Sequence, residues 1–196
     1  MSFILASGSP RRRELLESIG LRFEVMASDV DEIRGVDEIP EHYVARLAEE
    51  KADAVGRLRQ DCWIIAADTT VVVDSNVLEK PESRDDAARM LAAIRGRTHV
   101  VHTGVRLLSP TGKGKTSTIS TRVTISPMSD SEIAWYVSTG EPMDKAGAYA
   151  IQGLGAMFVE SVEGSYTNVV GLPLPTLVKM MRTAGLDPIA HISRNR

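Results

Sequence analysis

Between residues 63 and 73 the chain reads Trp63-Ile64-Ile65-Ala66-Ala67, then Asp68-Thr69, then Thr70-Val71-Val72-Val73. Five apolar residues in a row, too short for a helix and followed by β-branched residues, predict a central strand of a sheet. Asp68 is then expected where that strand ends. A central strand requires neighbours, and the rest of the sequence supplies them as alternating strand and helix patterns.

Phe3 to Ala6 is a short apolar run expected as a strand. Ser9 is placed as an N-cap and Pro10 at the first helical position, opening a helix through Ile19 that Gly20 closes. Phe23 to Met26 reads as a second strand, followed by an acidic loop with Asp29, Asp31 and Glu32. Pro40 opens a long helix to about Gln60. Ser83 and Asp86 form a capping pattern before a helix bearing Ala87, Met90, Leu91 and Ile94, stopped by Gly96. His99 to Leu108 and Thr116 to Ile125 are β-rich runs joined by the turn Ser109-Pro110-Thr111-Gly112. Ser129 and Glu132 make a capping box for a helix ending at Gly140. A strand near Met157 to Val162 and a helix after Pro175, ended by Gly185, complete the series. The fold class expected is α/β, with a mixed sheet flanked by helices.

With 196 residues, the chain can bury a sizeable core as one domain, and two closely joined lobes are also allowed. Its 43% hydrophobic and 25% charged residues are those of a globular protein and exclude a disordered one. A single cysteine, Cys62, excludes an internal disulfide framework and suits a reducing compartment. The N-terminus lacks the basic region of a signal peptide, and no run approaches the ~18 apolar residues of a membrane helix. A formal net charge of −3 gives no electrostatic case for nucleic acid, so an anionic ligand would need a local basic pocket.

Such a pocket has candidates. Ala6-Ser7-Gly8-Ser9-Pro10-Arg11-Arg12-Arg13 joins a strand end to a helix start, where backbone N–H groups and the helix dipole favour an anion. Ser7 and Ser9 add hydroxyls, and the arginines offer forked donors to phosphate oxygens. A capped surface helix with solvated arginines reads equally well from this stretch alone. Lys51 falls on the apolar stripe of the Pro40 helix, beside Val44, Leu47, Ala48, Val55 and Leu58. It either snorkels from the edge of that stripe or points its ammonium into a cleft. Asp68 is either a strand-ending turn residue or a carboxylate able to bind a divalent ion or take a proton from water. Lys80, in Glu79-Lys80-Pro81, is as ambiguous in isolation.

Other signals fail. Gly112-Lys113-Gly114-Lys115-Thr116 lacks the first glycine of a phosphate-binding loop, where Ser109 stands, and lies in an expected hairpin. His99 and His102, three apart in a strand, face opposite ways and cannot chelate together. Without a Gly-x-Ser-x-Gly elbow there is no α/β-hydrolase nucleophile.

Taken in order, the segments resemble the Maf nucleotide pyrophosphatase family over about residues 3 to 185. They are Leu5 to Arg12, Asp31-Glu32, Ala48 to Ala52, Ala67-Asp68-Thr69, Glu79-Lys80-Pro81, Ser138 to Pro142, Asp144 to Gly153 and Val169 to Pro173. Ala148-Tyr149-Ala150-Ile151-Gln152-Gly153 and Gly164-Ser165-Tyr166-Thr167-Asn168 look like the dTTP/UTP-cleaving branch, not the sister branch associated with methylated GTP. Many relatives read Gly-Lys-Pro where Glu79-Lys80-Pro81 stands. The resemblance implies a domain over residues 1–186 with a tail over 187–196, and an elongated fold similar to inosine triphosphate pyrophosphatases.

By the same resemblance Asp68 is the catalytic acid or base. Arg11, Thr69 and Gln152 occupy positions tied to base preference, and Ser7, Arg12, Glu32, Lys51 and Lys80 other polar positions of the cleft. Glu32 and Asp68 would hold the Mg²⁺ or Mn²⁺ the family requires. The expected partner is a nucleoside triphosphate, with neither nucleic acid nor membrane, and the expected state is a cytoplasmic homodimer. A nucleotidyltransferase attacking the same phosphorus with a sugar phosphate, or a nucleotide-binding regulator without turnover, remain the competing classes.

Overall fold

A computed structural model describes residues 2–192. The strands are β1 (Phe3–Leu5), β2 (Glu24–Val25), β3 (Trp63–Val73), β4 (Asn76–Leu78), β5 (Thr98–Leu108), β6 (Gly114–Ile125) and β7 (Val159–Glu163). The helices are α1 (Pro10–Ser18), α2 (Pro40–Leu58), α3 (Arg84–Ile94), α4 (Asp130–Ser138), α5 (Tyr166–Val170) and α6 (Leu174–Thr183). One seven-stranded sheet runs β2-β1-β3-β5-β6-β7, with β4 paired to β3. β1 is parallel to both β2 and β3, while β3–β4 and β6–β7 are antiparallel, so the sheet is mixed as expected. Tail residues 193–196 lie outside the described residues.

The chain divides into two compact units. The first comprises residues 1–68, 103–119 and 171–196, the second 69–102 and 120–170. In the first, Ile4 and Ala6 of the β1 segment, Ile64 and Ala66 of β3, and Ala52 and Val55 of α2 form one apolar cluster. The α2 backbone comes so near β5 that a Cβ on Gly104 would lie 2.2 Å from the Val44 carbonyl oxygen. Only glycine permits that approach, and it fixes the rotation of α2 that aims Lys51. The tail docks here too, by a bridge between Leu21 and Ile192 and an edge-to-face contact of His191 with Phe3 at 5.2 Å.

In the second unit α3 and α4 share a core with the upper half of β3 and with β6, including Val71, Leu91, Ile125 and Tyr136. Asp74 and Ser75, at φ 47° and 67°, make the tight turn from β3 to β4. The buried Asn168 amide donates to the Val101 carbonyl at 3.1 Å and to Thr121 Oγ1 at 3.0 Å, pinning α5 to the sheet.

Two local expectations are corrected. The strand does not end at Asp68: it continues to Val73, because Val71 and Val73 pack into the second unit's core. Asp68 instead lies three residues past the last β1–β3 pair, Leu5↔Ile65. Ser9 occupies the N-cap position of α1 but makes no side-chain cap; its N–H donates to Ser7 Oγ at 3.2 Å. The Ser83 cap and the Ser129–Glu132 capping box both form.

Among the buried polar groups of the second unit, His99 is 1% exposed, with Nε2 2.8 Å from the Tyr149 hydroxyl. Burial lowers its pKa to about 4 from 6.5. The unfolded chain thus takes up a proton here as pH falls below about 6.5, and the folded chain does not until about 4. Stability held by neutral His99 is complete above that window and is lost on going down through it, by roughly 3 kcal/mol. Urea unfolding of wild type and His99→Gln, near pH 7 and near pH 4.5, should show a flatter pH dependence in the variant. Identical pH dependence in both proteins would contradict it.

Candidate functional site

The first unit gathers a cluster of charged side chains behind the β1–α1 turn. Ser7, Arg12, Lys51 and Asp68 are all at least nine-tenths buried. Each is delivered by a different element: Ser7 by the end of the β1 segment, Arg12 by the first turn of α1, Lys51 by α2 and Asp68 by β3. The Lys51 ammonium donates to Asp68 Oδ1 at 2.6 Å and to Glu32 Oε1 at 2.5 Å. It does not snorkel. Glu32 comes from the loop before α2, and its side chain stays half-exposed.

Arg12 is locked from two sides. Its Nε donates to the Gly171 carbonyl at 2.8 Å and its Nη1 to Ser7 Oγ at 3.0 Å. Burial pushes its pKa below the ordinary arginine value, while Asp68 and Glu32 oppose that and Arg11 reinforces it. Arg12 therefore feels both carboxylates. Arg11, beside it on α1, is half-buried. At Gly8, which is exposed, an added Cβ would meet only Ala27 at 3.8 Å. Packing does not require glycine there, which leaves the turn's backbone open to a ligand.

The cluster's electrostatics are finely balanced. At about 3–4 Å and an effective dielectric near 20, one ion-pair attraction is about 4–6 kcal/mol. Desolvating each buried ion costs a similar several kcal/mol. The pairs thus add little net stability, but taking away one partner leaves the other stranded. Glu32 and Asp68 present hard carboxylate oxygens to one shared point, a donor set suited to Mg²⁺ or Mn²⁺ completed by water and phosphate. No group of three or more His, Cys, Asp or Glu side chains able to hold a metal occurs among the described residues.

Thr69, Lys80 and Gln152 belong to the second unit. Thr69 follows Asp68 along β3 and is half-buried, and Lys80 is exposed beyond β4. Gln152 is half-buried at the entry to a 3-10 turn over Gly153–Phe158. The backbone on both sides of Gln152 is held by Glu141 and Tyr136, which no sequence pattern singled out for a role. Their partners are backbone N–H groups 13 or 14 residues further on, a spacing without periodic signature.

Fold and cluster together are those of an α/β protein with an anion-ready turn beside a carboxylate–lysine pair. The Maf-like protein family model matches residues 2–184, so the chain belongs to the Maf-like family. A relative named dTTP/UTP pyrophosphatase from Myxococcus xanthus is 49% identical over 93% of this chain and 92% of its own. Another of that name, from Koribacter versatilis, is 50% identical over 95% of this chain and 96% of its own. Among solved structures, a nucleoside-triphosphatase / dITP/XTP pyrophosphatase from Mycobacterium abscessus is 15% identical. It covers 96% of this chain and 100% of that one, with a TM-score of 0.44.

Replacing Lys51 by Met removes the cation that Asp68 and Glu32 share. Since breaking a buried pair from one side strands the other charge, a loss of about 3 kcal/mol is expected at neutral pH. Chemical denaturation checks it; a variant as stable as wild type would show that the pair is not formed in solution.

Proposed function

We propose that this protein hydrolyses dTTP and UTP between the α- and β-phosphates, releasing the nucleoside monophosphate and pyrophosphate. The observation that carries the reading is the Lys51 ammonium buried between Asp68 and Glu32, with Arg12 beside it. It occurs in a chain about half identical to relatives named dTTP/UTP pyrophosphatase.

The roles follow from the groups' chemistry. The helix start at α1 and the arginines offer N–H donors and positive charge to a polyphosphate. Arg12, already fixed by Ser7 and the Gly171 carbonyl, donates without first losing conformational freedom. Lys51 stabilises charge that moves to the departing pyrophosphate. Asp68 accepts the proton of the water that attacks the α-phosphorus. Glu32 and Asp68 would hold the divalent ion, Mg²⁺ or Mn²⁺, which when bound supplies further neutralisation of the triphosphate. By family resemblance Lys80 acts on the phosphates, and Arg11, Thr69 and Gln152 on the base. In one fixed orientation the side-chain amide of Gln152 donates to one carbonyl and accepts from the N3–H of uracil or thymine, whereas cytosine, with an acceptor at N3 and an amino donor at C4, needs the flipped amide. The same resemblance supports a cytoplasmic homodimer.

Purified protein incubated with UTP and Mg²⁺ in ¹⁸O-water, without an acceptor, should give ¹⁸O-labelled UMP and unlabelled pyrophosphate. Turnover that requires a sugar phosphate would make the protein a nucleotidyltransferase, and tight binding without turnover a regulator. Either result overturns the proposal. In Asp68→Asn the rate should fall by about 10² to 10⁴ while the protein stays folded. Wild-type turnover in that variant removes Asp68 from the chemistry. In Gln152→Ala the preference for UTP over CTP in kcat/KM should narrow about tenfold. An unchanged profile would dismiss Gln152 as base reader.

A further inference from the structure

Glu141 stands at the start of a 3-10 turn just after α4. Its carboxylate accepts three hydrogen bonds: from the Tyr136 hydroxyl at 2.8 Å and the Gly155 N–H at 2.8 Å on Oε1, and from the Leu154 N–H at 2.9 Å on Oε2. The hydroxyl of fully buried Tyr136 in turn accepts from the Ala150 N–H at 3.1 Å. Burial works against the charge of Glu141, but its backbone and phenol donors outweigh that and hold its pKa below the ordinary carboxylate value. The carboxylate therefore stays an acceptor for all three donors.

One backbone N–H before Gln152 and two after it are thus tied to a single side-chain pair. Gly153, the residue between, has φ +67°, and a Cβ there would lie 2.5 Å from Glu141 Oε2. The loop backbone lies directly on the carboxylate. None of these bonds uses the Gln152 side chain. An amide discriminates between bases only if it cannot turn over, since a flipped amide exchanges its donor for its acceptor. The backbone that carries it must then be held in one conformation.

We propose that Glu141 is a positioning residue for base selection: by anchoring residues 150–155 it fixes how Gln152 is presented. This rests on the reading of Gln152 as base reader, and the two can fail separately. Glu141→Gln preserves volume but brings an –NH₂ group to where three donors converge on two oxygens, so at least one N–H loses its acceptor. The expected result is about a tenfold fall in the UTP-over-CTP ratio of kcat/KM, seen mainly as a higher KM for UTP, with kcat changed no more than about threefold. Hydrogen exchange in a peptide covering residues 150–156 should rise at least about tenfold. Adding Glu141→Gln to Gln152→Ala should not narrow the ratio further, because both changes act through one amide.

Tyr136→Phe, which removes one donor and one acceptor but no charge, should shift ratio and exchange in the same direction by about threefold. It keeps the test open should Glu141→Gln fail to fold. Faster exchange with an unchanged ratio would reduce Glu141 to a structural brace and overturn the proposal. Unchanged exchange would overturn it as well. If Gln152→Ala leaves the ratio intact while Glu141→Gln narrows it, the loop backbone selects the base; Gln152 loses its role and Glu141 keeps its own.

Discussion

Everything in the proposed chemistry depends on one ammonium held between two carboxylates. Lys51 meets Asp68 and Glu32 at 2.6 and 2.5 Å inside the first unit. Attraction and desolvation nearly cancel in such a pair. A buried ion cluster of this kind is a poor stabiliser, and hydrophobic residues of similar volume in place of the whole cluster would pack as well at lower cost. Its value is that its partners can be exchanged: a cation that takes over the carboxylates, with phosphate oxygens to receive the ammonium, leaves every charge compensated. Arg12 differs because Ser7 and the Gly171 carbonyl hold it before any ligand arrives. On the proposed mechanism, one cation is preset and the other changes partners when the ligand binds.

The fold serves this arrangement through backbone contacts. Glycine at 104 lets α2 lie against β5, and that places Lys51 against β3 and not against solvent. β1 is only three residues long, so its pairing with β3 stops at Ile65, and Asp68 follows where β1 has already turned into α1. The ligand-ready end of a parallel pair is thus produced within a strand that itself continues.

That feature also marks the boundary of what the sequence reveals. The apolar run from Trp63 predicts a strand and its sheet, but where a strand ends is decided by what packs above it, and Val71 and Val73 find a core that local pattern does not announce. Capping boxes are legible because their partners are three residues apart, as at Ser129 and Glu132. Ser9 has the right residue type but no capping bond. Lys51 stands out on an apolar stripe, yet only the tertiary structure supplies its carboxylates, 17 and 19 residues away in sequence. Glu141 is opaque for the same reason: a half-buried carboxylate whose acceptors are satisfied by distant backbone looks like any loop acid. Residue types and element order were readable, whereas pairings made through the backbone were not.

The most direct test of the central claim is a crystal structure with Mn²⁺ and a UTP analogue carrying an imido bridge between the α- and β-phosphorus atoms. The account predicts an anomalous manganese peak shared by the Glu32 and Asp68 carboxylates. It also predicts the Lys51 ammonium moved from them onto a phosphate oxygen. Analogue bound with the Lys51–Asp68 and Lys51–Glu32 pairs intact, and manganese elsewhere, would contradict it.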